Sequence, residues 1–194
     1  MNKPIYYAVN GITLYRLLAA PVLFYFLITG RMDIFKWLLA ASFFTDAIDG
    51  FMARRFAVTS EQGARMDSIA DDLTVLAAIA GLFVWRMEFI REQYAVIIPL
   101  LLLYVVQTTL ALVRYGRISS FHTYMAKGAA VLQGVFLVLA FFTEPNVPLF
   151  YAVALLTAVD LLEETVLVVL LPRWQVNVKG LYWVWKKKMS RAFR

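Results

Sequence analysis

Hydrophobic residues run along this chain in long blocks, separated by short polar connections. An α-helix needs about 17–25 apolar residues to cross a bilayer, and six blocks meet or approach that length: Val9–Thr29, Phe35–Ala53, Asp67–Trp85, Tyr94–Val113, Lys127–Phe142 and Pro148–Leu171. The fifth is the shortest, and the third carries its aspartates at one end. The pattern predicts an all-α integral membrane protein with six transmembrane helices.

Composition strengthens that expectation. With 62% hydrophobic residues, 16% charged and a mean hydropathy of +0.70, the chain is too apolar for an ordinary soluble domain. Residues 1–178 are expected to form one membrane domain, followed by a basic, tryptophan-containing juxtamembrane tail at 179–194. A single Lys precedes the first block and no small-residue cleavage site follows it, which argues against a removed signal peptide. The absence of cysteine excludes disulfides and thiolate chemistry.

The net charge of +6 is first a topology signal. Fourteen of the nineteen Lys and Arg residues flank the blocks at the two termini and in the second and fourth connections. Only Arg31, Lys36, Arg86 and Arg91 fall in the first, third and fifth connections. The excess places both termini in the cytoplasm, and six spans satisfy that parity. No nucleic-acid recognition motif accompanies the charge. The tail, with Trp183 and Trp185 beside Lys186–Lys188, suits either a segment lying on an anionic leaflet or a plain topological anchor.

Four acids then change the picture. Asp46 and Asp49 are three residues apart and Asp67 and Asp71 four apart, so each pair shares a helical face. Two such helices side by side would surround one point with four carboxylates. Carboxylates bordering a membrane core are costly and mark function, and four together repel one another unless a cation neutralises them. Oxygen-only ligation without His or Cys suits Mg²⁺, Mn²⁺ or Ca²⁺, and the first two suggest phosphate chemistry. A cation transporter is the competing class, since intramembrane acids also line ion pathways; Asp160, Glu163 and Glu164 in the sixth block are the feature that favours it. Structural pairing with arginine, a wet cavity or a shorter helix would also account for those three.

Written out, residues 45–72 read TDAIDGFMARRFAVTSEQGARMDSIADD. The skeleton D-x-x-D-G-x-x-A-R, eight residues, G-x-x-x-D-x-x-x-D resembles the signature of the CDP-alcohol phosphatidyltransferase family at Asp46, Asp49, Gly50, Ala53, Arg54, Gly63, Asp67 and Asp71. Asn10, Thr13 and Arg16 are similar to the N-x-x-T-x-x-R opening common in that family, and are read as residues supporting the site.

The resemblance implies transfer of a substituted phosphate from a CDP-linked donor to an alcohol, with release of CMP. It implies Asp46, Asp49, Asp67 and Asp71 as ligands of Mg²⁺ or Mn²⁺, two ions in all, and Asp71 as the base. It also implies that Asp49, Gly50, Ala53, Arg54 and Gly63 bind the CDP moiety. Glycine lets backbone approach closely, and Arg54 offers a planar fork to phosphate oxygens; helix packing alone is the plainer reason for the glycines.

The expected donor is CDP-diacylglycerol and the acceptor a polar alcohol. Arg114, Arg117 and Lys127 around the fourth connection suit a phosphorylated acceptor such as glycerol 3-phosphate, unless they only set topology. His122 is the sole histidine. Asp72 stands where members resembling phosphatidylglycerophosphate synthases often have Lys, and the S-F-G of serine-transferring members is missing. A CDP-choline or CDP-ethanolamine transferase acting on diacylglycerol is the alternative. A bacterial inner membrane, a cytoplasmic site and a homodimer complete the expectation.

Overall fold

The computed structural model describes residues 3–56, 61–117, 121, 123–175 and 178–192, with side chains described outside 3–10, 49–55, 61–65, 68, 187, 188 and 190–192. Its helices are α1 (Lys3–Ile28), α2 (Met32–Phe56), α3 (Glu61–Trp85), α4 (Met87–Glu92), α5 (Tyr94–Tyr115), α6 (Tyr124–Phe142), α7 (Val147–Leu170) and α8 (Leu181–Ala192). No strand occurs among the described residues. Each of the six apolar blocks overlaps one long helix, with ends that differ by up to six residues at the starts of α1 and α3, while α4 and α8 are short additions that the hydrophobic pattern did not separate out.

Among the described residues, three stretches, Gly11–Ile28, Tyr94–Tyr115 and Tyr124–Phe142, are long and apolar enough to cross a membrane. Helices of this length and hydropathy suggest a membrane protein. The other long helices, α2, α3 and α7, carry the acids.

The described chain divides into two compact units, residues 1–88 with 137–145, and residues 89–136 with 146–194. In the first, α1 packs extensively along both α2 and α3, which touch each other less. Small residues make this close approach workable: Ala19 and Ala20 of α1 and Ala70, Ala77 and Ala78 of α3 are buried with Leu23, Phe35 and Leu39. A side chain on the inner face of α1 is thereby offered to both neighbours.

An aromatic cluster also holds this unit. Phe35 meets Trp85 and Phe141 edge-on at 4.9 and 5.2 Å between ring centroids. A Cβ on Gly81 would lie 2.9 Å from Phe141 Cζ and 3.1 Å from Phe35 Cζ, so glycine there admits the rings. Arg86 closes the end of α6: Nε donates to Ala140 O at 2.9 Å and Nη2 to Thr143 O at 3.0 Å. Its Nη1 pairs with Glu144 at 3.1 Å. Carbonyls at a helix C-terminus have no intrahelical donor, and arginine supplies one. At the start of α2, Lys36 Nζ donates to Asp33 Oδ1 at 2.8 Å. That bond, with the ammonium charge, holds the Asp33 carboxyl below its ordinary range.

In the second unit α5 packs along α7. Asn146 caps α7 by accepting from Leu149 N at 2.9 Å, with Pro148 in the first turn, where a missing N–H costs nothing. α5 ends at Gly116, which has φ +66° and donates its N–H to Leu112 O, the left-handed cap glycine favours. Val178 N donates to Phe121 O at 2.8 Å. Leu181 and Val184 of α8 pack on a buried cluster that includes Ala111, Phe121, Leu167 and Leu171.

Candidate metal centre

Asp46 reaches the site from α2, and Asp67 and Asp71 from consecutive turns of α3. One carboxylate oxygen of each lies within 4.8 Å of the others. The i,i+4 spacing on α3 and the packing of α1 against both helices account for the convergence. Asp49 lies on α2, one turn beyond Asp46, but its side chain is outside the described residues, as are those of Gly50, Ala53, Arg54, Gly63 and Asn10.

Arg16 of α1 joins the three acids. Its Nη1 stands 2.7 Å from Asp46 Oδ1 and 2.8 Å from Asp67 Oδ1, and its Nη2 pairs with Asp71 Oδ1. The arginine side chain is 2% exposed, whereas the three carboxylates are 36–42% exposed. A planar guanidinium can serve several carboxylates at fixed angles, which an ammonium cannot do. Thr13, one turn before Arg16, is also buried.

Charge decides what else the cluster can take. Among the described side chains, three carboxylates face one guanidinium, which leaves a formal deficit of two positive charges. Arg16 approaches from the buried side; the acids stay open on the other. All the donors are oxygens, a set that fits a hard divalent cation and disfavours soft metals. Nearby hydroxyls are oriented by their own helices. Ser42 and Thr45 donate to the Leu38 and Ala41 carbonyls at 2.9 and 2.7 Å, and Thr74 to Ala70 O at 2.7 Å. Each hydroxyl proton is spent one turn back in its own helix. Asp72 is exposed.

The expected acceptor residues belong to the second unit. Arg114 Nε and Nη2 donate to Leu171 O at 3.4 and 3.3 Å, where α7 ends. Arg117 lies over the Trp174 ring at 5.6 Å from its centroid, and Lys127 lies over Tyr124 at 5.8 Å. Lys127 falls within the first turn of α6 rather than in the connection. His122 is outside the described residues.

Two of the three acids of α7 are tied into hydrogen bonds that sequence reasoning did not identify. Gln107 Nε2 of α5 donates to Glu164 Oε2 at 2.8 Å, and Leu181 N of α8 donates to Glu163 Oε1 at 2.8 Å. The first partner is a neutral amide and the second a backbone N–H, so these contacts need no arginine. α7 continues past all three acids to Leu170, which removes the shorter-helix explanation. Gln107 lies among apolar residues of α5 and is 2% exposed; a lone amide in such a helix was the available signal.

These features define an all-helical membrane protein with a carboxylate centre suited to a hard divalent cation. The family model for CDP-alcohol phosphatidyltransferase matches residues 6–170, and the chain belongs to that family of enzymes, which transfer a phosphatidyl-type group from a CDP-alcohol. No solved structure matches the chain.

Proposed function

We propose that this enzyme transfers the phosphatidyl group of CDP-diacylglycerol to the hydroxyl of a polar alcohol, a phosphorylated one such as glycerol 3-phosphate. The observation that carries the reading is the convergence of Asp46, Asp67 and Asp71 from two helices on one point. In this reading Asp46, Asp49, Asp67 and Asp71 hold two Mg²⁺ or Mn²⁺ ions. Bound there, the ions would neutralise the donor's diphosphate and stabilise the departing phosphate.

The chain's own residues do the rest. Arg16 keeps Asp46, Asp67 and Asp71 together from the buried side. Arg54 offers its fork to the donor's phosphate or pyrimidine oxygens, and Gly50, Ala53 and Gly63 leave room for the nucleotide. Asp71 accepts the proton of the attacking hydroxyl. The acceptor oxygen then bonds to the phosphorus that carries diacylglycerol, the bond from that phosphorus to the bridging oxygen breaks, and CMP leaves with the electron pair. Arg114, Arg117 and Lys127 bind the acceptor's phosphate.

The same reading carries six transmembrane helices with both termini and the site facing the cytoplasm of a bacterial inner membrane, and a homodimer. The test is CMP release by the purified protein with CDP-diacylglycerol and Mg²⁺ or Mn²⁺, screened over glycerol 3-phosphate, inositol phosphate, inositol and serine. Release with a phosphorylated alcohol, abolished by EDTA, supports the proposal. Release only with serine or inositol overturns the acceptor assignment, and activity only with CDP-choline or CDP-ethanolamine overturns the donor.

A further inference from the structure

With twelve residues, α8 is too short to cross a bilayer, which takes roughly 20 as a helix. Its faces differ. Leu181 and Val184 pack onto the apolar cluster of the second unit. Tyr182, Trp185 and Met189, at three- and four-residue spacing, form an adjoining stripe that is 65%, 63% and 49% exposed. In water this stripe forgoes the gain from burial. In the hydrocarbon centre the indole N–H and phenol O–H would lack partners. The headgroup layer satisfies both requirements, and Trp and Tyr concentrate there.

Charge selects the lipid. After Glu164 the sequence holds seven Lys or Arg and no Asp or Glu, and three of the seven are consecutive at Lys186–Lys188 in α8. Basic residues held near an anionic leaflet are attracted to its negative surface potential. The segment complements acidic headgroups and gains nothing comparable from zwitterionic ones.

The helix is also fastened. The first N–H groups of a helix lack intrahelical partners, and the positive end of its dipole attracts an anion. Glu163 supplies one, its Oε1 accepting from Leu181 N at 2.8 Å. Gly180, at φ +146°, makes the turn; a Cβ there would lie 3.0 Å from Glu163 Oε1 and 3.3 Å from the Trp183 ring. An acid that is expensive in an apolar helix thus ties the start of α8 to α7.

We infer that α8 lies in the headgroup layer and binds anionic lipid through its Tyr182–Trp185–Met189 stripe and its lysines, held to α7 by Glu163. The inference does not depend on the transfer reaction. Because the chain has no cysteine, Met189→Cys gives a unique site for an environment-sensitive fluorophore in the full-length protein. The label is read in nanodiscs of phosphatidylcholine alone and of phosphatidylcholine with phosphatidylglycerol.

A blue shift and quenching by headgroup-level spin-labelled lipid that grow with phosphatidylglycerol support the proposal. The dependence should be lost in the Lys186→Gln, Lys187→Gln, Lys188→Gln variant, while a label at Leu102→Cys on α5, as a check of folding, is unchanged. Glu163→Ala should raise the mobility of the Met189→Cys label, and Glu163→Gln, which keeps an acceptor oxygen, should restore it. Water-like emission in both bilayers overturns the proposal, as does equal immersion in both. A label shielded in lipid-free detergent by a second copy of the chain overturns it too.

Discussion

Arg16 Nη1 lies 2.8 Å from Asp67 Oδ1, a partner fifty-one residues away in the sequence. The same nitrogen meets Asp46, so one buried cation joins α1, α2 and α3. Removing one member of such a group leaves uncompensated charge, at about 3–5 kcal/mol for buried pairs; the part-exposed acids put this case toward the lower end. Arg16→Gln is expected to lower the melting temperature in EDTA by roughly 6 °C or more, at about 2–4 °C per kcal/mol for a chain of this size. Mn²⁺ should recover part of the loss by binding the folded form. Thermal unfolding in detergent, with and without the ion, checks both; an unchanged melting temperature would remove Arg16 from the framework of the site.

Asp71 is assigned two tasks, and a single substitution separates them. Asp71→Asn keeps the shape but removes the proton acceptor, so transfer should fall by about 10²–10⁴-fold, the usual worth of a general base. Mg²⁺-dependent binding of CDP-diacylglycerol should persist. Equilibrium binding beside CMP release distinguishes the roles, because loss of both would make Asp71 chiefly a metal ligand.

Arg117, which lies over the Trp174 ring, is one of the proposed acceptor contacts. Arg117→Ala should raise the acceptor's KM more than the donor's. Steady-state kinetics with each substrate varied in turn would show it, and an unmoved acceptor KM would leave Arg117 as a topological charge.

Gln107 and Glu164 form a pair whose deletion should be non-additive. Gln107→Leu leaves the part-buried carboxylate without this donor, and loss of a donor to a fully buried group costs about 1–3 kcal/mol, so a smaller cost is expected here. Replacing both by leucine restores an apolar match. The double variant should therefore melt above the Gln107→Leu single variant. If its stability returns while transfer does not, Glu164 has a task in the reaction beyond holding α5 to α7.

Part of this was legible in the linear chain. The six long helices follow from the apolar blocks, because a helix is a local structure and side-chain hydropathy repeats through it. α4 was missed, since six residues inside a connection carry little periodic signal, and the tail was read as a basic, tryptophan-containing segment without α8 being assigned as a helix. The position of Asp67 and Asp71 on one helical face follows from spacing alone. Arg16 was legible from the N-x-x-T-x-x-R opening as a residue supporting the site, but whether it meets an aspartate or a phosphate was left open by the spacing.

The sequence by itself determined the membrane class, the helical blocks, the family motif and the oxygen-only donor set, all of which depend on residue type and local spacing. Tertiary structure decided that Asp46 joins Asp67 and Asp71, that Arg16 completes them from the buried side, and that Gln107 and the start of α8 receive the acids of α7. Those pairings are distant in sequence. They exist because α1 packs against both α2 and α3, and α5 against α7, and the energy that selects such packing is spread over many small contacts rather than written in any one motif.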